Sequence, residues 1–238
     1  MPGSVQQEPA YVLHRRPYRE TSLLVDLFTL NNGRMTVVAR GANGPRSPLK
    51  AQLQPFQPLL VDWQGRSDLK TLTQTDNRPG VSLGHGRALY SGFYLNELLQ
   101  KLLPAGEASH GLFVAYLAAL AELATGADVE PVLRRFEGAL AESLGYGFAW
   151  DAVAGTGESV RDDRIYCYDP QQGILASPAP QARLQRLPGS VLLSIAAGNL
   201  AGDSERRVGK QVMRALVDFL LQGKPLNSRG LFGNKPST

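Results

Sequence analysis

The sequence predicts an α+β chain: a small five-stranded β-barrel over residues 1–80, then a mainly α-helical domain over 81–238. Three observations predict it. Short apolar runs alternate with turn residues across 10–76. Beyond about residue 80 the apolar spacing changes from alternation to that of amphipathic helices. The charge is uneven as well: residues 1–80 hold ten Lys/Arg against six Asp/Glu, net +4, whereas 81–238 hold fifteen of each. A basic barrel beside a near-neutral body suggests a polyanion-binding module joined to a docking module.

The strand-like runs are Ala10–Arg15, Thr21–Thr29, Arg34–Arg40, Pro58–Gln64 and Asp68–Thr75. Asn31-Asn32-Gly33 marks a tight turn, because Asn and Gly tolerate positive φ. Gly65-Arg66-Ser67 is a weaker turn signal. Five short strands in about seventy residues fit an OB-type barrel, and an SH3-like barrel suits the same pattern. In the third run, alternation puts Met35, Val37 and Ala39 on one face and Arg34, Thr36, Val38 and Arg40 on the other. The two arginines are thereby placed to meet phosphates. The Gly/Pro-rich segment 41–50 reads as a flexible loop carrying Arg46 and Lys50. Arg15, Arg16 and Arg19 flank this surface. Tyr18, in a polar stretch between strands, is the best candidate for stacking on a base, while Phe28 and Trp63 read as core.

Helices are expected over Arg87–Leu103, stopped by Pro104, and over Leu112–Ala124. A third begins at about Pro131, with Val132, Leu133, Phe136, Leu140 and Leu144 as its stripe and Gly145 as its C-cap. Residues 146–189 read as an irregular insertion with one short hairpin, Arg164–Tyr168 and Gly173–Ser177. Helices over Ser190–Asn199 and Ser204–Leu221 follow. On the last of these Arg207, Lys210 and Arg214 lie nearly opposite the apolar face and extend the basic surface. The tail carries Lys224, Arg229 and Lys235.

Chemistry that needs converging ligands is not visible. His14, His85 and His110 are far apart, and Asp162-Asp163 reads as a solvated turn rather than a two-metal site. No GxSxG or GxxxxGK[ST] motif occurs. The single cysteine, Cys167, excludes an intrachain disulfide and a Cys-based zinc site, and it fits a reducing cytoplasm. Met1–Ala10 has no secretory pattern, and the apolar stretch Leu112–Leu123 is too short to span a bilayer. Neither a catalytic residue, a metal nor a cofactor is expected.

The ordered set of motifs carries a resemblance. It begins with His14-Arg15-Arg16-Pro17-Tyr18-Arg19-Glu20-Thr21-Ser22-Leu23-Leu24, Phe28-Thr29, Gly33-Arg34 and Val37-Val38-Ala39-Arg40-Gly41-Ala42. It continues through Leu53-Gln54-Pro55-Phe56, Leu89-Tyr90-Ser91-Gly92 and Tyr94-Leu95-Asn96-Glu97-Leu98. Arg134-Arg135-Phe136-Glu137, Leu144-Gly145-Tyr146-Gly147 and Gly223-Lys224-Pro225-Leu226 with Ser228-Arg229 and Leu231-Phe232 complete it. Together these resemble the RecO family of bacterial recombination mediators over nearly the whole chain. The resemblance implies an N-terminal OB-fold, binding of single- and double-stranded DNA without sequence preference, and annealing of complementary strands. Those strands include ones coated by single-stranded DNA-binding protein (SSB). It further implies that the protein acts with RecR to help RecA load, in the cytoplasm at the nucleoid. The family's helical domain receives the acidic, Phe-ending SSB tail, and Arg134 and Arg135 on the matching motif are the candidate cations. Many members carry a four-cysteine zinc module. This chain departs from that pattern, so a metal-free variant of the module is expected. The rivals are a metal-dependent nuclease with an OB domain and a general RNA-binding OB-fold protein of translation.

Overall fold

A computed structural model describes residues 3–232. Five strands form its first part: β1 (Ser4–Tyr18), β2 (Ser22–Thr29), β3 (Gly33–Ala39), β4 (Leu59–Gln64) and β5 (Lys70–Asn77). They close into a barrel in the order β1-β2-β3-β5-β4, with β4 returning to β1 and β3 running parallel to β5. This is the five-stranded, OB-like arrangement. Val12, Val25, Leu27, Val37, Val61 and Trp63 fill its interior. The turn into β3 needs Gly33. Its φ is +64°, and a Cβ there would collide with the Glu107 backbone.

β1 starts at Ser4, six residues before the apolar signal. The stretch from Ser4 to Pro9 is too polar to read as a strand, yet it pairs with β4. Buried Glu8 anchors it by accepting hydrogen bonds from the Asn31 backbone at 2.6 Å and from Asn31 Nδ2 at 3.1 Å. The 41–50 segment is only partly loop. Pro48 opens a short helix, α1 (Pro48–Gln52), after Ser47, so Lys50 sits on a helix rather than on a loop.

Two helices pack on the outside of β1 and β2: α2 (Arg87–Leu102) and α3 (His110–Ala124). β2 is therefore buried on both faces. Leu23, Val25 and Leu27 face the interior, while Phe28 meets Phe113 and Tyr116 of α3 at ring-centroid distances of 5.2 and 5.8 Å. Tyr11 joins the same aromatic cluster. The β1–β2 register shifts between Val12 and His14. Asn96 of α2 donates to the Val12 and Leu13 carbonyls there, both at 3.2 Å, and accepts from Tyr116 Oη at 2.6 Å. A bulge that frees carbonyls inside an interface needs such a donor.

The rest of the chain builds a second unit from α4 (Val129–Ser143), β6 (Ile165–Asp169), β7 (Gly173–Ala176), β8 (Leu184–Pro188), α5 (Gly189–Ala196) and α6 (Asp203–Leu221). Val208, Val212 and Leu216 of α6 pack with Tyr168, Leu187 and Leu192. Gly209 lets α6 approach closely: a Cβ there would lie 3.1 Å from Leu200 and 3.9 Å from Arg134 Cγ. The 146–189 stretch is more regular than its composition suggests. It holds a three-stranded sheet ordered β7-β6-β8, not one hairpin. β8 escaped notice because only Leu184 and Leu187 mark it among polar residues. Cys167, buried on β6, donates to Gln185 Oε1 at 3.0 Å. Gln185 Nε2 in turn donates to the Ala179 and Ala182 carbonyls at 2.8 and 3.1 Å. Among the described residues no three His, Cys, Asp or Glu gather as a metal site, and no helix is long and apolar enough to cross a membrane.

Strands do give way to helices near residue 80, but compactness divides the chain elsewhere. One unit contains the described residues up to Ala127 and from Leu226 onward, and the other is Asp128–Pro225. The physical reason is the aromatic seam that ties α2 and α3 to the barrel. The chain returns to the first unit through a 3₁₀ segment, Asn227–Phe232. Glu97 of α2 accepts from the Asn227 and Ser228 backbone at 2.9 Å each and from Ser228 Oγ at 2.6 Å, and it pairs with Lys101 at 2.7 Å. Burial alone would raise its pKa. The bonds from Lys101, Ser228 and Asn227 outweigh burial and hold the carboxyl at about 2.

Candidate nucleic-acid interface

A groove of about 910 Å³ opens on the barrel where three pieces of chain meet. The β1–β2 turn supplies Tyr18, Arg19 and Glu20. The outer face of β3 supplies Val38 and the residue after its end, Arg40. The β4–β5 connection supplies Ser67 and Leu69. The barrel topology causes this meeting, since Val38 pairs with Thr71 across the parallel β3–β5 contact. In OB-folds this is where oligonucleotides bind: along strands 2–3, between the loops joining β1 to β2 and β4 to β5. Arg19 has a left-handed backbone, φ +54°, and its guanidinium lies over the Tyr18 ring, 5.2 Å from the centroid. Leu69 is 39% exposed. Arg40 is exposed beside them.

The second unit has its own groove, about 880 Å³. Arg134 and Arg135 come from α4, Phe148 and Trp150 from the segment after it, and Gly209 and Met213 from α6. The Phe148 and Trp150 rings are 5.0 Å apart, and Phe148 also lies 5.0 Å from Tyr168. The Arg134 side chain is only 10% exposed. Its Nη2 contacts Glu137 Oε1 at 2.9 Å, while its buried Nε has no hydrogen-bond partner. A buried guanidinium N–H left unmatched among apolar and aromatic walls is an unspent donor for a carboxylate.

Two family descriptions match. "Recombination protein O N terminal" covers residues 3–78, and "Recombination protein O C terminal" covers 84–230. The chain is 60% identical to the DNA repair protein RecO of Marinobacter nauticus, over 98% of this chain and 96% of the relative. It is 42% identical to that of an Azoarcus species (94% of each chain) and 44% identical to that of Vibrio cholerae (93% of this chain, 91% of the relative). The chain belongs to the RecO family.

Within this RecO-family chain the expected cations fall into distinct groups. Arg19 and Arg40 come together in the barrel groove. Arg46 is exposed on the turn before α1, and Lys50 is half-buried on α1. Arg15 is turned to structural use: its guanidinium donates to the Lys50 and Leu53 carbonyls at 2.7 and 3.0 Å and to Gln54 Oε1 at 3.1 Å, so it clamps α1 to β1. Arg16 pairs with buried Asp26 at 3.1 Å. Arg34 is half-buried, and its Nε donates to the Leu103 carbonyl at 2.8 Å, where α2 ends. A cation at a helix C-terminus meets carbonyls that have no partner within the helix, which is why this residue turns inward although alternation puts it on the outer face. On α6, Arg207 is exposed, Lys210 pairs with Glu130 at 3.0 Å, and Arg214 lies 3.9 Å from Asp218. Lys235 lies outside the described residues.

Sequence reading missed Leu69, Phe148 and Trp150, which give the two grooves their apolar walls. Leu69 alternates as a strand residue should and carries no signal of its own. Phe148 and Trp150 alternate in a Gly-rich stretch, which was a signal of a shared face.

Proposed function

We propose that this chain serves DNA repair and recombination as a non-enzymatic mediator. It binds single- and double-stranded DNA without sequence preference and anneals complementary strands, including SSB-coated ones. With RecR it promotes RecA loading, in the cytoplasm at the nucleoid. The observation that carries the reading is the barrel groove, where Arg19 and Arg40 flank the site at which OB-folds take oligonucleotides. Affinity comes mainly from phosphate neutralisation and falls with salt. Annealing breaks and makes no covalent bond. A cationic surface holding two strands lowers their repulsion and raises their local concentration. Arg46 and Lys50 extend the contact on the first unit, and Arg207, Lys210 and Arg214 offer a further cationic stripe on the second.

In this reading the second groove receives the SSB tail. Phe148 and Trp150 suit its terminal aromatic ring, while Arg134 and Arg135 suit its carboxylates. The test is binding of a labelled SSB-tail peptide alongside a labelled oligonucleotide. Arg134→Glu is expected to impair peptide binding and leave oligonucleotide binding largely intact. Equal loss of both means misfolding if the urea midpoint also falls, and a mis-assigned site if it does not. Competition by RNA of equal length checks the DNA preference, and a strong preference for RNA would contradict it.

A further inference from the structure

The barrel groove is poorly explained as a phosphate site alone. Phosphates need cations and N–H donors, and Arg19 and Arg40 supply the charge. Yet the groove also presents the Tyr18 ring, half-buried Val38 and partly exposed Leu69, and none of these recognises a phosphate. It includes a carboxylate as well, Glu20, which repels phosphates but accepts hydrogen bonds from exocyclic amino groups. Apolar and aromatic walls with a few polar groups are the signature of a site for a flat, partly polar organic ring.

We infer that this groove holds one unpaired nucleobase between the Tyr18–Arg19 pair and Leu69, with Arg40 on the adjoining phosphate. This rests on the reading of the groove as a DNA surface and adds a base-dependent component to it. The guanidinium of Arg19 already lies over the Tyr18 ring, so the two form a stacked pair that a base can extend. Arg19 adopts a left-handed backbone, φ +54°, in the turn that follows β1. Leu69 lines the same groove. Thr21, Ser67 and Thr71 also line the groove, the Ser67 hydroxyl donating to the Leu69 carbonyl at 3.0 Å. A hydroxyl both donates and accepts, so it suits the edge of any base and imposes no sequence preference. A base inside a duplex hides both faces in the stack, so the site takes single strands only. The groove therefore separates single-stranded from double-stranded DNA, whereas phosphate contacts treat both alike.

The test uses the full-length protein and three fluorescent probes: oligothymidylate, an abasic oligomer of equal length and charge, and a duplex. Wild type is expected to bind the thymidylate at least about five-fold more tightly than the abasic oligomer, the lower end of one base–aromatic stack. Tyr18→Ala should erase that preference, with the abasic and duplex probes still bound in a salt-dependent way. A urea denaturation midpoint near that of wild type reports that the barrel is folded. Tyr18→Phe should keep the preference. Equal affinity of wild type for thymidylate and abasic oligomers, or a preference that survives Tyr18→Ala, overturns the inference and leaves the phosphate-binding reading standing. Salt-independent binding of all three probes would overturn both.

Discussion

Arg34 near the start of β3 and Arg40 just past its end have the same chemistry, but the structure gives them opposite consequences. Arg40 is exposed at the barrel groove, whereas Arg34 Nε is bonded to the Leu103 carbonyl at 2.8 Å. Each cation that neutralises one phosphate of a single strand contributes about 0.7 to the slope of log K against log salt. Arg40→Ala should therefore flatten that slope by about 0.7 and weaken binding roughly five-fold at about 0.1 M salt. Arg19→Ala with Arg40→Ala should flatten it by about 1.4. Arg34→Ala should leave the slope unchanged and lower stability instead, because a carbonyl at the end of α2 loses its donor. A bond to a charged group contributes about 1.5–3 kcal/mol, and half-burial places this one at the lower end. The assay is a fluorescence-anisotropy titration at four salt concentrations, with urea denaturation of each variant. A flattened slope for Arg34→Ala together with an unchanged slope for Arg40→Ala would refute the assignment of the groove.

Three further expectations follow from the packing. Phe28→Ala removes a fully buried ring between barrel and α3 and should cost about 3–5 kcal/mol by urea denaturation; a loss under about 1 kcal/mol would mean that α3 does not seal the barrel. Glu97 has a folded pKa below its usual 4.5, so its contribution is complete above that value and is lost as pH falls towards about 2. The melting-temperature difference between wild type and Glu97→Gln should thus be largest above pH 5 and close on acidification; a difference that grows in acid would contradict the anchoring role. Gln185→Ala leaves the Ala179 and Ala182 carbonyls without their side-chain donor and should destabilise the β6–β8 region by about 1–3 kcal/mol, whereas a metal chelator should leave the melting temperature unchanged. Chelator-induced unfolding would mean that a metal holds this region.

Much of the fold was legible because periodicity reports burial. Alternation located the five barrel strands, and helical spacing located α2, α3, α4 and α6. Periodicity failed where burial has another origin. The start of β1 is polar and is held by Glu8, and β8 is held by Gln185 and two leucines. It also gave no sign that α2 and α3 pack with the barrel. Phe28 alternates normally in β2, and its partners Phe113 and Tyr116 lie far along the chain.

Site residues were less legible for a related reason. Charge and spacing place a cation on a face but do not say what covers that face. Arg19, Arg40 and Arg134 line grooves, while Arg15 and Arg34 were equally plausible in sequence and are bonded to carbonyls of distant segments. The apolar walls that turn cationic patches into grooves come from Leu69, Phe148 and Trp150, whose partners only the folded chain brings together.

The most direct measurement is annealing of two complementary oligonucleotides pre-coated with cognate SSB, comparing full-length SSB with SSB lacking its acidic tail. The protein should accelerate annealing with full-length SSB, and both tail removal and Arg134→Glu should suppress this acceleration. No acceleration with either SSB, despite binding to naked DNA, would contradict the mediator function.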